Sequence, residues 1–429
     1  MSNRRCHALL LCCYQLLLLW SIASASPDDT VFTPGTIPVD SDGNQINAHE
    51  GWILQIEDTY LWYGTSHKTL TADPATGSSD WLSGSINLFV SRDLASWRRK
   101  PAVFSAAGIT ASTAPAAVAA SRRLRAAVKG AGPYRIERPK VLYNSGHRYY
   151  VLLFHLDSID MGLAQLGWAV SPSPYGPFVF QAASQPDGLG SLDLSVAAAG
   201  DSADAYLVRS VPGGSLAISK LSPDYLGTQG ACGSLQLHQH QQQPHPAAAA
   251  AAAAAHAATG MASEDMQGAA AAAGVQGSRV GGTAPSLFAF NGRWYLLVSR
   301  GSGWSPGPLQ LFVSNGSDPC GASWSPIKHA AAGPGSGSGF DSSPAFVLPY
   351  RFGGPGRDGA ADGCSQSSCL PIYFGDRWNQ QGPGSVGNAS YVWLPFVPAA
   401  GSADPSALQL LNPGGPWKIS DYRQPAPSL

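Results

Sequence analysis

One unit recurs along this chain and limits what it can become. An apolar run is followed by a tight turn, an aromatic-rich run, and a further apolar stretch ending in serine. The unit is read at residues 51–64, 139–154 and 285–299, with turns at Glu57-Asp58, Asn144-Ser145-Gly146 and Asn291-Gly292. The last of these is a strong signal for a two-residue hairpin. The stretches that follow are Leu88-Phe89-Val90-Ser91, Trp168-Ala169-Val170-Ser171 and Leu311-Phe312-Val313-Ser314, trailed by Trp97, Gly176-Pro177-Phe178 and Trp324. Further strand groups lie at 205–209, 370–374 and 391–396. Hairpins that repeat with almost no helical period between them predict an all-β chain, a propeller or a sandwich. Irregular spacing of roughly four to six such units favours a small propeller with insertions between its blades. Aromatic residues would then pack between blades, and loops would gather around one end of a central channel.

Composition removes other classes. Lys and Arg number 26 against 27 Asp and Glu, a formal net charge of −1. That balance argues against a nucleic-acid binder, which needs a basic face to neutralise phosphates. Hydrophobic residues are 44% of the chain and include 12 Trp, enough for a sizeable core. A disordered chain, a collagen and a multi-span membrane protein are excluded. Residues 1–25 read as a secretory signal: Arg4 and Arg5, an apolar stretch from Ala8 to Trp20, then the small-x-small pattern Ala23-Ser24-Ala25. Cleavage would leave the protein secreted or in the secretory-pathway lumen, without membrane contact. An uncleaved segment would instead anchor it in a Golgi-type membrane.

The cysteines agree with export. Cys6, Cys12 and Cys13 fall in the signal, while Cys232, Cys320, Cys364 and Cys369 remain and allow two disulfides in three connectivities. The small loop between them favours Cys364 with Cys369. Asn315-Gly316-Ser317 and Asn388-Ala389-Ser390 are glycosylation sequons in an exported chain. Two low-complexity insertions break the pattern of a single domain over 26–429. The first, 105–132, carries the basic cluster Arg122, Arg123, Arg125 and Lys129; the second, 237–282, holds His238, His240, His245 and an alanine run at 247–255. Cysteine spacings match no zinc site, and His49-Glu50 lacks the second histidine of a zinc-protease helix. The glycine-rich stretch 335–339 lacks the Lys-Ser/Thr of a phosphate loop, so no metal and no cofactor is expected.

Several motifs, read in order, resemble glycoside hydrolase family 43, in its galactan 1,3-β-galactosidase branch. They are Asn47-Ala48-His49 with Gly51, Tyr60-Leu61-Trp62-Tyr63-Gly64, Glu137-Arg138-Pro139-Lys140-Val141 and Ser191-Leu192-Asp193-Leu194. Ala284-Pro285 through Trp304, Gly375-Asp376-Arg377-Trp378, Tyr391-Val392-Trp393-Leu394-Pro395 and Trp417 complete them. The resemblance implies a five-bladed propeller that removes galactose, exo-acting and with inversion, from β-1,3-galactan or an arabinogalactan-type polysaccharide. Inversion needs a protonated acid beside the leaving oxygen and a base for water on the opposite face, about 6.5–9.5 Å apart.

By this resemblance Glu137 faces the sugar, and Asp193 orients and tunes the general acid. His49 is a sugar contact or a core histidine, and Trp304 and Trp378 are stacking platforms or blade packing. Asp376 belongs to the same sugar-facing group. Two positions depart from the family. Its acid glutamate, just before Ala-Pro, is Thr283, and its base position, Gln or Glu, is Ser343. Thr65 likewise stands where a glutamate follows Trp-Tyr-Gly. Spare carboxylates are Glu50, beside His49, and Asp341, which a continuous strand would put on the face of Ser343. These residues allow two functions: a glycosidase with relocated acid and base, or a sugar-binding propeller without turnover.

Overall fold

The structure is a computed structural model and describes residues 26–72, 79–111, 134–158, 161–198, 204–236, 283–301, 305–352, 364–378, 387–402, 404 and 406–423. Residues 1–25, most of the first insertion, all of the second and Trp304 lie outside the described residues. After a short edge strand β1 (Val31–Phe32), the strands form five sheets, antiparallel but for one pair in the last, that are the blades of a propeller. Blade one is β2 (His49–Ile56), β3 (Thr59–Ala72), β4 (Ser79–Ser91) and β5 (Arg98–Ser105), followed by a single-turn helix α1 (Ala106–Ala111). Blade two is β6 (Arg135–Asn144), β7 (Tyr149–Asp157), β8 (Gln165–Ser171) and β9 (Val179–Ser184). Blade three is β10 (Leu194–Ala198), β11 (Ala205–Val211), β12 (Ser215–Leu221) and β13 (Thr228–Gln236). Blade four is β14 (Thr283–Phe290), β15 (Arg293–Ser299), β16 (Leu309–Ser314) and β17 (Trp324–Pro326). Blade five gathers β18 (Ala331–Ala332), β19 (Ser343–Arg351), β20 (Cys369–Arg377), β21 (Ser390–Pro398) and β22 (Leu408–Leu411), with β18 parallel to β22. The first strand of each blade touches its neighbours in cyclic order, so β2, β6, β10, β14 and β19 ring the channel.

The aromatic-rich runs become second strands buried on both faces. In β15, Tyr295 and Leu297 face blade five while Trp294, Leu296 and Val298 face blade three. Side chains alternate across a strand, and with a blade on either side both faces must be apolar. Among the described residues, five apolar clusters fill the seams between neighbouring blades. The hairpin read at Asn291-Gly292 has φ of 50° and 70° at its two turn residues, the left-handed pair such a turn requires.

The ring closes at the seam between blades one and five. Strand β1 pairs with β23 (Trp417–Lys418), and Thr36 bridges Tyr391 of β21. Phe32 packs 5.6 Å from the Trp393 ring and 4.7 Å from the Trp417 ring. Two disulfides are formed. Cys364–Cys369 is the pair the spacing favours, and Cys232–Cys320 ties blade three to the end of blade four. Among the described residues no helix is long and apolar enough to cross a membrane.

Candidate functional site

The site grows from one irregularity repeated at the head of the inner strands. Glu50, Arg138 and Ala284 have φ of 55°, 54° and 54°, a conformation uncommon outside glycine. Each lies at a register shift between the first and second strands of its blade. Such a bulge sets two residues against one and cancels strand alternation. Consecutive side chains, His49 with Glu50 and Glu137 with Arg138, are therefore all buried at the same end of the channel. The residue after each bulge is Gly51, Pro139 or Pro285. That recurrence is the sequence signal that marks these positions.

Arg138 spans the channel. Its Nε donates to Asp193 Oδ1 at 3.2 Å and lies 3.4 Å from Glu50 Oε1, while one terminal nitrogen donates to the Pro344 carbonyl at 2.6 Å. Blade two is thereby tied to blades three, one and five through one guanidinium. Beside it Lys140 is fully buried, and its Nζ reaches the carbonyls of Glu50, Gly51 and Pro139 at 2.9, 3.1 and 3.3 Å. Burial, and then repulsion by Arg138, lowers its pKa to about 7.

Each sequence-predicted residue has a definite place. Asp193 Oδ2 accepts from the backbone N–H of Ala284 at 3.0 Å, which sets it against the peptide following Thr283. Glu137 Oε2 lies 3.2 Å from His155 Nδ1, and Glu137 Oε1 is buried without a hydrogen-bond partner among the described residues. Asp376 joins blades five and one: Oδ1 accepts from His49 Nδ1 at 3.0 Å and Oδ2 from the Glu50 N–H at 2.9 Å. His49 is wholly buried and stacks on Tyr391 at 5.0 Å, so it is held as a core group at this rim. The Trp378 ring is buried 5.3 Å from His49 and 5.4 Å from His67, a packing role among the described residues. Ser343 is buried, with Asp376 as its strand partner.

The two spare carboxylates stand in different surroundings. Asp341 is exposed and ends a 3₁₀ turn (Ser336–Asp341) at φ 52°, outside β19, so strand alternation does not extend to it. Glu50 is buried; desolvation would raise its pKa, but Arg138 and then His67 outweigh it and hold it at about 2. A carboxyl with that pKa has no proton to give near neutrality. The sequence reading also missed His155 and Asp157, buried at alternate positions of β7 within a run that looks apolar.

A five-bladed propeller with carboxylates from separate blades converging at one end of its channel is the class of protein this fold and site define. No protein-family model matches the chain, and no curated protein sequence does either. Solved structures do, and they come from the family its motifs resemble. An exo-β-1,3-galactanase from Phanerochaete chrysosporium, solved with β-1,3-galactotriose, is 24% identical; the match covers 89% of this chain and 66% of that one, with a TM-score of 0.60. An exo-β-1,3-galactanase from Clostridium thermocellum gives 23% identity, 89% and 65% coverage, and a TM-score of 0.59. A GH43 β-1,3-galactosidase solved with galactodeoxynojirimycin gives 19% identity, 89% and 98% coverage, and a TM-score of 0.61. The chain thus spans about two thirds of the length of the first two. At these identities the likeness shows a shared propeller fold.

Proposed function

We propose that this chain is a glycoside hydrolase family 43-like protein that takes the terminal galactose of β-1,3-galactan or arabinogalactan-type chains, exo-acting and inverting. One observation carries the reading. Asp193 is anchored on the N–H of Ala284, where it can orient a group at position 283, and Glu137 from the adjoining blade has one carboxylate oxygen with no hydrogen-bond partner among the described residues, an acceptor for a sugar hydroxyl. An anchored carboxylate beside the acid position and an unpartnered acceptor on the adjoining blade are what an exo-acting pocket needs to seat and cleave a terminal residue.

A second reading, galactan binding without turnover, is favoured by one feature of the same site. Glu50, Glu137, Asp193 and Asp376 each accept from a cationic or histidine side chain or a backbone N–H. All four are engaged as acceptors, and position 283 holds threonine. One assay on the purified chain separates the readings. Release of galactose from β-1,3-galactan, first as the α-anomer by NMR, supports inverting hydrolysis. Saturable galactan binding with no release from the glycan, even over days, supports the binder. Neither binding nor release removes both.

A further inference from the structure

We propose that His155 and Asp157 form a buried relay that positions Glu137, fixing one of its carboxylate oxygens and reserving the other for a ligand hydroxyl. The role of the relay rests on the proposed galactan site; its geometry does not. His155 is wholly buried, with Nδ1 at 3.2 Å from Glu137 Oε2 and Nε2 at 3.0 Å from Asp157 Oδ2. A neutral imidazole has one N–H and one lone pair, so it would set a lone pair against one of the two carboxylates. With both ring nitrogens facing carboxylate oxygens, the arrangement calls for the imidazolium. Burial opposes that charge, but the hydrogen bonds to Asp157 and then Glu137 outweigh it and lift the His155 pKa to about 9. Asp157 is fixed in turn by the N–H groups of Leu163 at 2.7 Å and Ser158 at 2.9 Å. Those bonds anchor the far end of the relay to the loop after β7.

Glu137 is the strand partner of His155 on β6, and Arg135 on the same strand is the partner of Asp157. The charged groups facing the imidazole are Glu137 and Asp157; Arg138 follows Glu137 but turns to Glu50 and Asp193. The relay therefore ends on Glu137 Oε1, a buried acceptor with no hydrogen-bond partner among the described residues. An acceptor in that state costs free energy unless a donor arrives. A pyranose hydroxyl is such a donor, and the relay keeps the carboxylate from turning away to find another.

The test has two arms. In the first, ring-¹⁵N NMR of the intact protein should show His155 protonated on both nitrogens at pH 7.5 and titrating near pH 9. A neutral tautomer at pH 7.5 overturns the proposal whatever the protein binds. In the second, calorimetry with galactose and β-1,3-galactobiose compares wild type with His155→Gln and Asp157→Asn. Loss of an oriented charged hydrogen bond should weaken binding about tenfold or more in His155→Gln. Wild-type affinity should fall as pH rises through about 9, and that fall should vanish in His155→Gln. Asp157→Asn keeps the imidazole but loosens its far end, so it should lie between the two and guards against a variant that fails to fold. Equal affinities and identical pH profiles overturn the relay alone. A folded wild type blind to both sugars overturns the proposed function and the relay's role together, even where the NMR arm shows the imidazolium.

Discussion

At the scale of residues, the proposed chemistry turns on position 283 and on Asp193, which accepts from the Ala284 N–H. The Thr283 hydroxyl cannot donate a proton near neutral pH, and general acid–base groups contribute about 10²–10⁴-fold each. Thr283→Glu should therefore raise galactose release from β-1,3-galactan by a sizeable part of that range, because Asp193 already stands beside the peptide at 284. Aryl galactosides, whose leaving groups need little protonation, should respond far less. No change on either substrate would mean the acid comes from elsewhere. That Glu137 and Asp193 lie at the channel was legible because their neighbours Arg-Pro-Lys and Ser-Leu resemble a family pattern. His155 and Asp157 were not, because a histidine in an apolar strand does not reveal what faces it. The pH dependence of stability exposes the difference. The folded pKa of His155 lies above its ordinary value of 6.5, so its contribution is full below pH 6.5 and is lost as pH rises through about 9. Chemical denaturation should show a gap of about 3 kcal/mol between wild type and His155→Gln at pH 6, shrinking by pH 9.5.

Elements show what the repeated pattern could and could not specify. Strand existence was readable from continuous apolar runs, since strands with blades on both faces have no polar face to alternate. The bulges at Glu50, Arg138 and Ala284 were not, because a register shift belongs to a pair of strands. Asp341 fell to a different cause: it ends the 3₁₀ turn that precedes β19, so the face that strand spacing assigned does not reach it. The disulfides can be ranked in the same way. Cys232–Cys320 closes a separation of 88 residues and Cys364–Cys369 one of 5. Chain entropy then gives about 4–5 kcal/mol for the long loop and about 2 for the short one. Replacing both cysteines of the long bridge by serine should lower the denaturation midpoint about twice as much as the same change in the short one. Equal losses would mean local packing, and not loop length, sets the contribution. Replacing residues 237–282, which lie inside the long loop, by a short Gly/Ser linker should leave the midpoint nearly unchanged. Closure entropy varies only slowly with length, and the segment has few large apolar residues.

For the whole molecule, closing the ring and building the site are one event. The seam between blades one and five holds the β1–β23 pair and the Phe32 cluster, and it also holds the bonds from Asp376 to His49 and to the Glu50 N–H. Tyr391 belongs to both: its ring stacks on His49, and its hydroxyl accepts from the Ala48 N–H and donates to the Ile46 carbonyl. A break in closure is therefore felt at His49 and Asp376 first. Phe32→Ala removes a buried ring from the seam and should cost about 3–5 kcal/mol. Phe180→Ala removes an equally buried ring from the outer strand of blade two, away from the seam, and should cost a similar amount. Under conditions where both variants stay folded, only Phe32→Ala should weaken galactose binding, because only it loosens the blades that Asp376 joins. Calorimetry on the two, matched for residual stability, reads the difference directly. Equal loss of affinity in both would mean that binding follows global stability, and that the seam has no particular hold on the site.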